Sequence, residues 1–456
     1  MRRLLIVAVL IAAACSESLD APEVQHPGGT PSTSETPALR EDVLDALRAY
    51  IALPADETLE VIANGVESPP DFRWIPYLVD LLRFSGDVRL IPPLTVITGI
   101  EVDSDDVVAA YVAFGSFMLS NAIDPGPDYS EWKSELYASV DPAFRQLLDE
   151  IDDPQTLASI QWGGVPVGGV PELNEPERIP AAEATYLADG DLVFGTTHRQ
   201  ESVAYPLRIL DVHELANDQL AGDAVALANC TLCRSGSIFL SRVDNEDLTF
   251  LTSGLLLNSN KVMLDTETGS LWQQLTGEAI AGPLAGKQLE RLPLVVTTWS
   301  EWRQLNPDTW VLALPDRGAD RGIEGAPTYD AGSAYGDYFS ADELWFPAVE
   351  ALPVFPAKAE VATLEFEGRS LAVELTALSA SGPTSIEVGD ELISVIPSGG
   401  GARFYRGTPD DFEGFEAGED SLTDGSLTYP RLISGQSFWF AWYGTHDDTA
   451  WWPDDG

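Results

Sequence analysis

VFGTTHRQESVAYPLRIL, Val193 to Leu210, and VATLEFEGRSLAVELTAL, Val361 to Leu378, have equal length and share Ser202/Ser370, Ala204/Ala372, Leu207/Leu375 and Leu210/Leu378. Further along, Trp299-x-x-Trp302 is followed by Asp308-Thr309, and Trp439-x-x-Trp442 is followed at the same distance by Asp448-Thr449. Two matches in the same order predict an internal duplication, and that decides how the rest of the chain is read. The matched tryptophans are expected to pack where the two copies meet.

Outward from these stretches, the region after Pro154 consists of short strand-like runs broken by Gly, Asn and Asp: LVFGTT, SVAYPL, AVALAN, SIFLSRV, LTFLTSGLLL and KVMLD. Before it, LREDVLDALRAYIAL and DFRWIPYLVDLLRF place apolar residues at helical spacing. Ser104-Asp105-Asp106 reads as the start of a helix over VVAAYVAFGSFML, while Pro69-Pro70 and Pro125-Gly126-Pro127 separate helices. The expected fold class is α+β: an all-helical domain over 39–153, then a strand-rich domain built from two pseudo-repeats. The first repeat covers 154–315, an acidic Gly/Asp-rich connection 316–357, and a second, degenerate repeat 358–456.

The chain starts MRRLLIVAVLIAAAC, two arginines and a short apolar run before small residues and Cys15. This layout, over residues 1–15, is that of a bacterial lipoprotein signal peptide with lipidation at Cys15. Residues 16–38, rich in Ser, Thr, Pro and Gly, have too little apolar surface to offset their ordering entropy and form a disordered tether. The expected place is therefore extracytoplasmic, on a cell-envelope membrane through a lipid anchor. With 45% hydrophobic residues in 456 the chain has material for real cores. Its 73 acidic against 25 basic residues, a formal net charge of −48, repel phosphate backbones and exclude nucleic acid as a partner.

The copies differ in chemistry. The first contains HELANDQLAGDAVALANCTLC, His213 to Cys233, with one of the chain's four histidines and two of its three cysteines; the second, SASGPTSIEVGDELISVIPSG, has neither residue type. Two cysteines separated by two residues can turn both sulfurs toward one ion or toward each other. A metal site needs further ligands, and His213 with Glu214 or Asp218 are nearest by type, giving His213, Glu214, Cys230 and Cys233 as the metal set for a transition metal ion (Zn, Cu or Fe). HELAN is not a zinc-protease HExxH, because Asn217 stands where the second histidine must be. Thiol exchange is the alternative, although the pair lies between strand-like runs and does not open a helix. A plain disulfide, and a histidine that only hydrogen-bonds nearby backbone, stay open too.

Asn217, Asp218, Ser253, Ser259, Asn260, Asp265, Ser270, Trp272 and Gln274 are residues of the types that line ligand pockets, and they equally supply turns. Met263 reads as core packing rather than a soft copper ligand. No phosphate loop, GxSxG elbow or dinucleotide fingerprint is present, so nucleotide and esterase chemistry have no support.

AYPLRILDVHELANDQLAGDAVALANCTLC, SGLLLNSNKVMLDTETGSLWQQLTGEAIAGPLAGKQLE and TTWSEWRQLNPDTWVL resemble the bacterial family called domain of unknown function 3179. The likeness runs from about Gly163 to the closing SFWFAWYGTHDDTAWW, and it implies an architecture and a candidate site but no reaction. The family's usual Thr-Tyr-Cys-Pro-Leu-Cys-Gly is here Ala228-Asn229-Cys230-Thr231-Leu232-Cys233-Arg234, so the turn presenting the sulfurs lacks its proline and glycine. The functional expectation is an envelope lipoprotein binding a transition metal through its Cys/His site. The alternatives are a thiol-disulfide redox protein and a non-catalytic scaffold or ligand-binding module.

Overall fold

A computed structural model describes residues 72–454 apart from 104, 126–128, 316–328, 333, 410–411 and 424. Cys15, the tether, LREDVLDALRAYIAL and Pro69-Pro70 lie outside the described residues. The fold is mixed α+β, with helices gathered toward the N-terminal side and strands filling the rest.

Helices Ile75–Ser85, Ile91–Thr98, Val107–Ser120, Tyr129–Ala138 and Ala143–Asp149 form the first layer. The start expected near Asp106 is there: its carboxylate accepts from the Ala109 N–H at 3.0 Å and satisfies one orphan donor of the first turn. A further helix, Pro154–Ser159, extends the helical layer past the boundary expected at 153. Asp153 caps it through the Thr156 N–H at 2.7 Å and Pro154 fills its first position. Proline there is an opening signal, not a breaker. Inside this layer the fully buried Lys133 lies 3.3 Å from Asp80 and donates at 2.6 Å to the carbonyl of Ile160. That residue begins the strand Ile160–Trp162, so the cation fastens the helices to the first sheet.

Two of the strand-rich sheets have the same plan. In one the order is Val295–Thr298, Leu192–His198, Glu201–Pro206, Trp310–Leu312, with Arg178–Pro180 at its edge; in the other it is Ser434–Phe438, Glu360–Phe366, Arg369–Glu374, Ala450–Trp452. Their registers correspond. Val193 faces Pro206 as Val361 faces Glu374, Val295 faces Gly195 as Gly435 faces Thr363, and Trp310 pairs in parallel with Val203 as Ala450 pairs with Leu371. In each, a short helix after the hairpin (Leu207–His213, Leu375–Ser381) leads into a further sheet whose next three strands run antiparallel. A separate sheet, built on the hairpin Phe250–Leu257/Asn260–Asp265, carries Ile160–Trp162 along one edge. Met263 is fully buried there with Phe250 and Trp272, a core residue.

The tryptophans lie mainly on their own sheets, not between the expected copies, although Leu275 from the stretch read as the first copy joins the cluster of Trp439 and Trp442. Trp302 covers Gly195 of its own hairpin, where any Cβ would collide with the indole, and packs with Val193, Ala204 and Val311. Trp442 packs on Val361 and Ala372 of the other hairpin. Each indole N–H donates at 2.9 Å to a threonine, Trp302 to Thr309 and Trp442 to Thr449, which accounts for the paired sequence signature. The aromatic therefore closes its own sheet. Among the described residues no helix is long and apolar enough to cross a membrane.

Trp442→Ala removes a buried indole and leaves the Thr449 hydroxyl without its donor, at a cost of about 3–5 kcal/mol. Calorimetry should show a lower melting temperature for this variant, with Trp442→Phe in between. Equal melting for all three chains contradicts the closing role.

Candidate functional site

Cys230 ends the strand Asp223–Cys230 and Ser235 opens the next, Ser235–Leu240, so Thr231 to Arg234 form the tip of a hairpin. The tip is a tight turn, Cys233 N–H donating to the Cys230 carbonyl at 3.2 Å and Arg234 N–H to Thr231 at 3.3 Å. Arg234 sits at φ +53°, in the left-handed region. Its β-carbon makes this costly, which is the physical reason a glycine suits the position. The turn forms without the glycine or the proline.

A second hairpin tip faces it. Asn258 and Ser259 turn the chain at φ +52° and +59° between Leu257 and Asn260. The Ser259 carbonyl then lies 3.2 Å from Cys233 Sγ and 3.9 Å from Cys230 Sγ. The Lys261 N–H donates to Cys230 Sγ at 3.4 Å, and Asn260 Nδ2 to Cys233 Sγ at 3.5 Å. Both cysteines are free thiols and both are buried. Gln274 holds the two tips together: its Oε1 accepts from Ser235 Oγ at 3.0 Å and Asn260 Nδ2 at 2.9 Å, and its Nε2 donates to the Ala228 carbonyl at 3.0 Å.

The two thiols are not equivalent. Burial by itself raises Cys230, but bonds from the Cys233 thiol and the Lys261 N–H outweigh it and hold Cys230 below the ordinary thiol value. Burial, with the neighbouring Cys230 sulfur, pushes Cys233 well up. Cys230 is therefore the more acidic of the two, with the Cys233 thiol donating to it.

Beside Cys230 is a cavity of about 40 Å³, lined by Glu214, Thr231, Thr252, Lys261 and Tyr335 and by apolar residues that include Val165 and Leu255. Lys261 Nζ, 3% exposed, is 2.6 Å from Glu214 Oε2 and donates to Thr252 Oγ1 at 2.9 Å. Glu214 Oε1 accepts from Thr231 Oγ1 at 3.0 Å and from Tyr335 OH at 3.1 Å. Glu214 and Tyr335 also hold left-handed backbone, at φ +58° and +57°. A larger hollow of about 470 Å³ lies elsewhere, between helix Val107–Ser120 and residues 348–357, with mostly apolar walls and Glu350 as its one ionisable lining residue.

The metal set expected at His213, Glu214, Cys230 and Cys233 is not brought together. His213 Nδ1 donates to the Pro171 carbonyl at 2.8 Å, and Nε2 then accepts from Tyr329 OH at 2.8 Å, so both ring nitrogens are engaged away from the sulfurs. Among the described residues no three His, Cys, Asp or Glu side chains form a group that could hold a metal ion. Glu214 does reach the cysteine site, as the partner of Lys261.

The expected ligand pocket divides into separate structural jobs. Ser259, Asn260 and Gln274 build the cysteine site. Asn217 fastens its strand to Phe250, donating to the carbonyl at 2.8 Å and accepting from the N–H at 2.9 Å. Asp218 accepts from Tyr205 OH at 2.8 Å and pairs with Arg178. Asp265 accepts from Trp272 Nε1 at 2.8 Å and, with Ser270, from the turn at Thr268. Ser253 donates to the Val262 carbonyl at 2.6 Å, within the bulge of its strand. Thr231, Thr252, Lys261 and Tyr335 were not singled out from sequence. The readable signal was Lys261, one of only four lysines in the chain, set in the apolar run LLLNSNKVML.

A family model described as "Protein of unknown function (DUF3179)" matches residues 167–449, more than half of the chain, and the chain belongs to that family. No curated protein and no solved structure matches it.

The unfolded thiols ionise at their ordinary value, so the depressed Cys230 contributes stability that is complete above that value and fades as pH falls through its folded one. Cys233 acts oppositely, and its contribution is lost as pH climbs above the ordinary value. Ultraviolet titration of thiolate should therefore show an early ionisation in the native chain that Cys230→Ser removes. Persistence of that early step in the variant would sink the assignment.

Proposed function

We propose that this DUF3179 protein is a thiol-disulfide redox protein whose working group is the Cys230–Cys233 pair. One observation carries the reading: two free, buried thiols of opposite acidity share the Ser259 carbonyl, and among the described residues no third ligand stands with them. A thiolate next to a protonated thiol is the starting state for two-electron oxidation to a disulfide. A transition metal (Zn, Cu or Fe) on the same sulfurs is the second reading. It is favoured by the two N–H groups, Lys261 N and Asn260 Nδ2, that donate to the sulfurs, and it requires further ligands from elsewhere.

The scaffold reading behind the site is a duplication, supported by the corresponding registers and by reciprocal contacts. The cysteine tip of the first half meets the second at Phe438, whose N–H donates to the Cys233 carbonyl at 2.7 Å. The corresponding tip of the second half, Ser398 to Gly401, meets the first at Thr298 and Glu301, with Gly399 N–H donating to Glu301 Oε2 at 2.7 Å. Phe438 and Thr298 end matching strands, so each half sets its tip against the same place on the other. The whole body is proposed to hang from an envelope membrane by lipid on Cys15.

Treating the reduced chain with stoichiometric molecular iodine should join the two sulfurs and remove two hydrogens from the peptide spanning Cys230 and Cys233, and Cys230→Ser should prevent it. Thiols that stay reduced would falsify the redox reading. Metal analysis of the chain beside its Cys230→Ser and Cys233→Ser forms tests the second reading, which equal content in all three rejects. For the anchor, Cys15→Ala should release the protein from membranes with its melting unchanged; a variant that stays bound after a high-salt wash excludes lipidation as the anchor.

A further inference from the structure

The two sulfurs differ in what they face. Cys230 lines the cavity of about 40 Å³ and Cys233 does not, being fully buried against the second hairpin tip. Such a space admits roughly three waters. A protein disulfide or a tripeptide thiol cannot reach either sulfur through it, whereas a molecule of a few heavy atoms can. One wall is polar (Glu214, Thr231, Thr252, Lys261 and Tyr335) and the other apolar (Val165, Val170, Leu255 and Leu256). The only cation on that wall is Lys261, held in place by Glu214 and Thr252.

We infer that the oxidant of this dithiol is a small hydroperoxide, which enters the cavity and is attacked by Cys230. The inference rests on the redox reading above. Cys230 thiolate attacks the terminal oxygen of the peroxide; the S–O bond forms and the O–O bond breaks, its electron pair leaving on the departing alkoxide or hydroxide. That anion takes a proton from the Lys261 ammonium, which solvent later replaces. Cys230 is now a sulfenic acid, and the peroxide has been reduced by two electrons to an alcohol or water. Cys233 sulfur then attacks Cys230 sulfur: the S–S bond forms, the S–OH bond breaks, and hydroxide leaves with the Cys233 proton as water. Attack and resolution are divided between the sulfurs by position, since only one of them meets the cavity.

The burial that excludes large oxidants also confines the chemistry. After the first step the sulfenic acid lies beside its resolving thiol in a space too small for a second large reactant, so the disulfide is the product and over-oxidation needs another peroxide to enter first.

The test uses the full chain, reduced, with hydrogen peroxide as the probe and stoichiometric molecular iodine, a diatomic oxidant that is not a peroxide, alongside, read on the peptide that contains both cysteines. Hydrogen peroxide should give the disulfide in the native chain. In Cys233→Ser it should give a single added oxygen on Cys230 that dimedone captures once the chain is unfolded, and in Cys230→Ser it should leave Cys233 unchanged. Lys261→Met, combined with Glu214→Gln so that no buried charge is orphaned, should slow the peroxide step by on the order of a hundredfold, the usual worth of a placed proton donor. If iodine makes the disulfide while peroxide leaves both thiols intact, or oxidises Cys233 in place of Cys230, the hydroperoxide inference is wrong and the redox reading survives. If neither reagent joins the sulfurs, both fall.

Discussion

A hairpin tip buried in the interior is the constraint on which this structure turns. Hairpin tips normally lie at the surface because their backbone groups have no ladder partners and water must serve them. Here the tip from Cys230 to Arg234 is inside, so every polar group needs a partner from another part of the chain. The Cys233 carbonyl takes the N–H of Phe438, and the Leu232 carbonyl takes the Tyr338 hydroxyl at 2.9 Å. The thiols take the Ser259 carbonyl and the donors at 260 and 261. Helical residues, the 335–340 segment and the C-terminal strands thus converge on one turn, and Cys230, Leu232 and Cys233 share an apolar core with Phe346, Phe438 and Phe440. Leaving one buried carbonyl or N–H unpaired costs on the order of 1–3 kcal/mol, so the tip holds these regions in register with one another.

Charge is distributed in keeping with this. The chain has a net charge of −48, yet Lys133 and Lys261 are buried and Lys358 is half-buried, with burial lowering the Lys358 ammonium to about 8. Each of the two deep lysines has a carboxylate within 3.3 Å and further oxygens to donate to. Breaking such a pair by removing one partner costs about 3–5 kcal/mol, which makes the few cations fixed internal fasteners while the acidic excess stays on the solvated outside.

How much of this could be read from the sequence follows from the range of each interaction. The Trp-x-x-Trp and Asp-Thr pairs were legible because the indole-to-threonine bond spans only seven residues and recurs in both halves. The cap at Asp106 and the strands around Val193 and Ala204 are local patterns of the same sort. The site was legible in its sulfurs, in Glu214 and in Ser259, Asn260 and Gln274, though the last three were read as part of a separate pocket. His213 ends a helix shortly before the strands that lead to the cysteines, but its ring is turned to Pro171 and Tyr329, a pairing that no spacing rule encodes. Tyr335 and Tyr338 come from a stretch that reads as an acidic connection, more than one hundred positions after the cysteines. The polar residues from Asn217 to Gln274 suggested one pocket because turn chemistry and ligand chemistry draw on the same side chains.

The backbone around the sulfurs carries the remaining argument. Glu214, Arg234, Asn258, Ser259 and Tyr335 all adopt left-handed φ without being glycine, and all five border the cysteine site. Such positions cost on the order of 1–3 kcal/mol each and persist only where surrounding contacts over-determine them. Another hairpin turn of this chain, Ser398 to Gly401, has a cheaper solution: it uses three glycines and no sulfur, and it packs against Thr298 and Glu301. Glycine there relieves the chain of any side chain to place. The turn from Cys230 to Arg234 instead keeps strained residues around it, with Cys230, Glu214 and Tyr335 lining one small space and Cys233 held behind it against the Ser259 carbonyl.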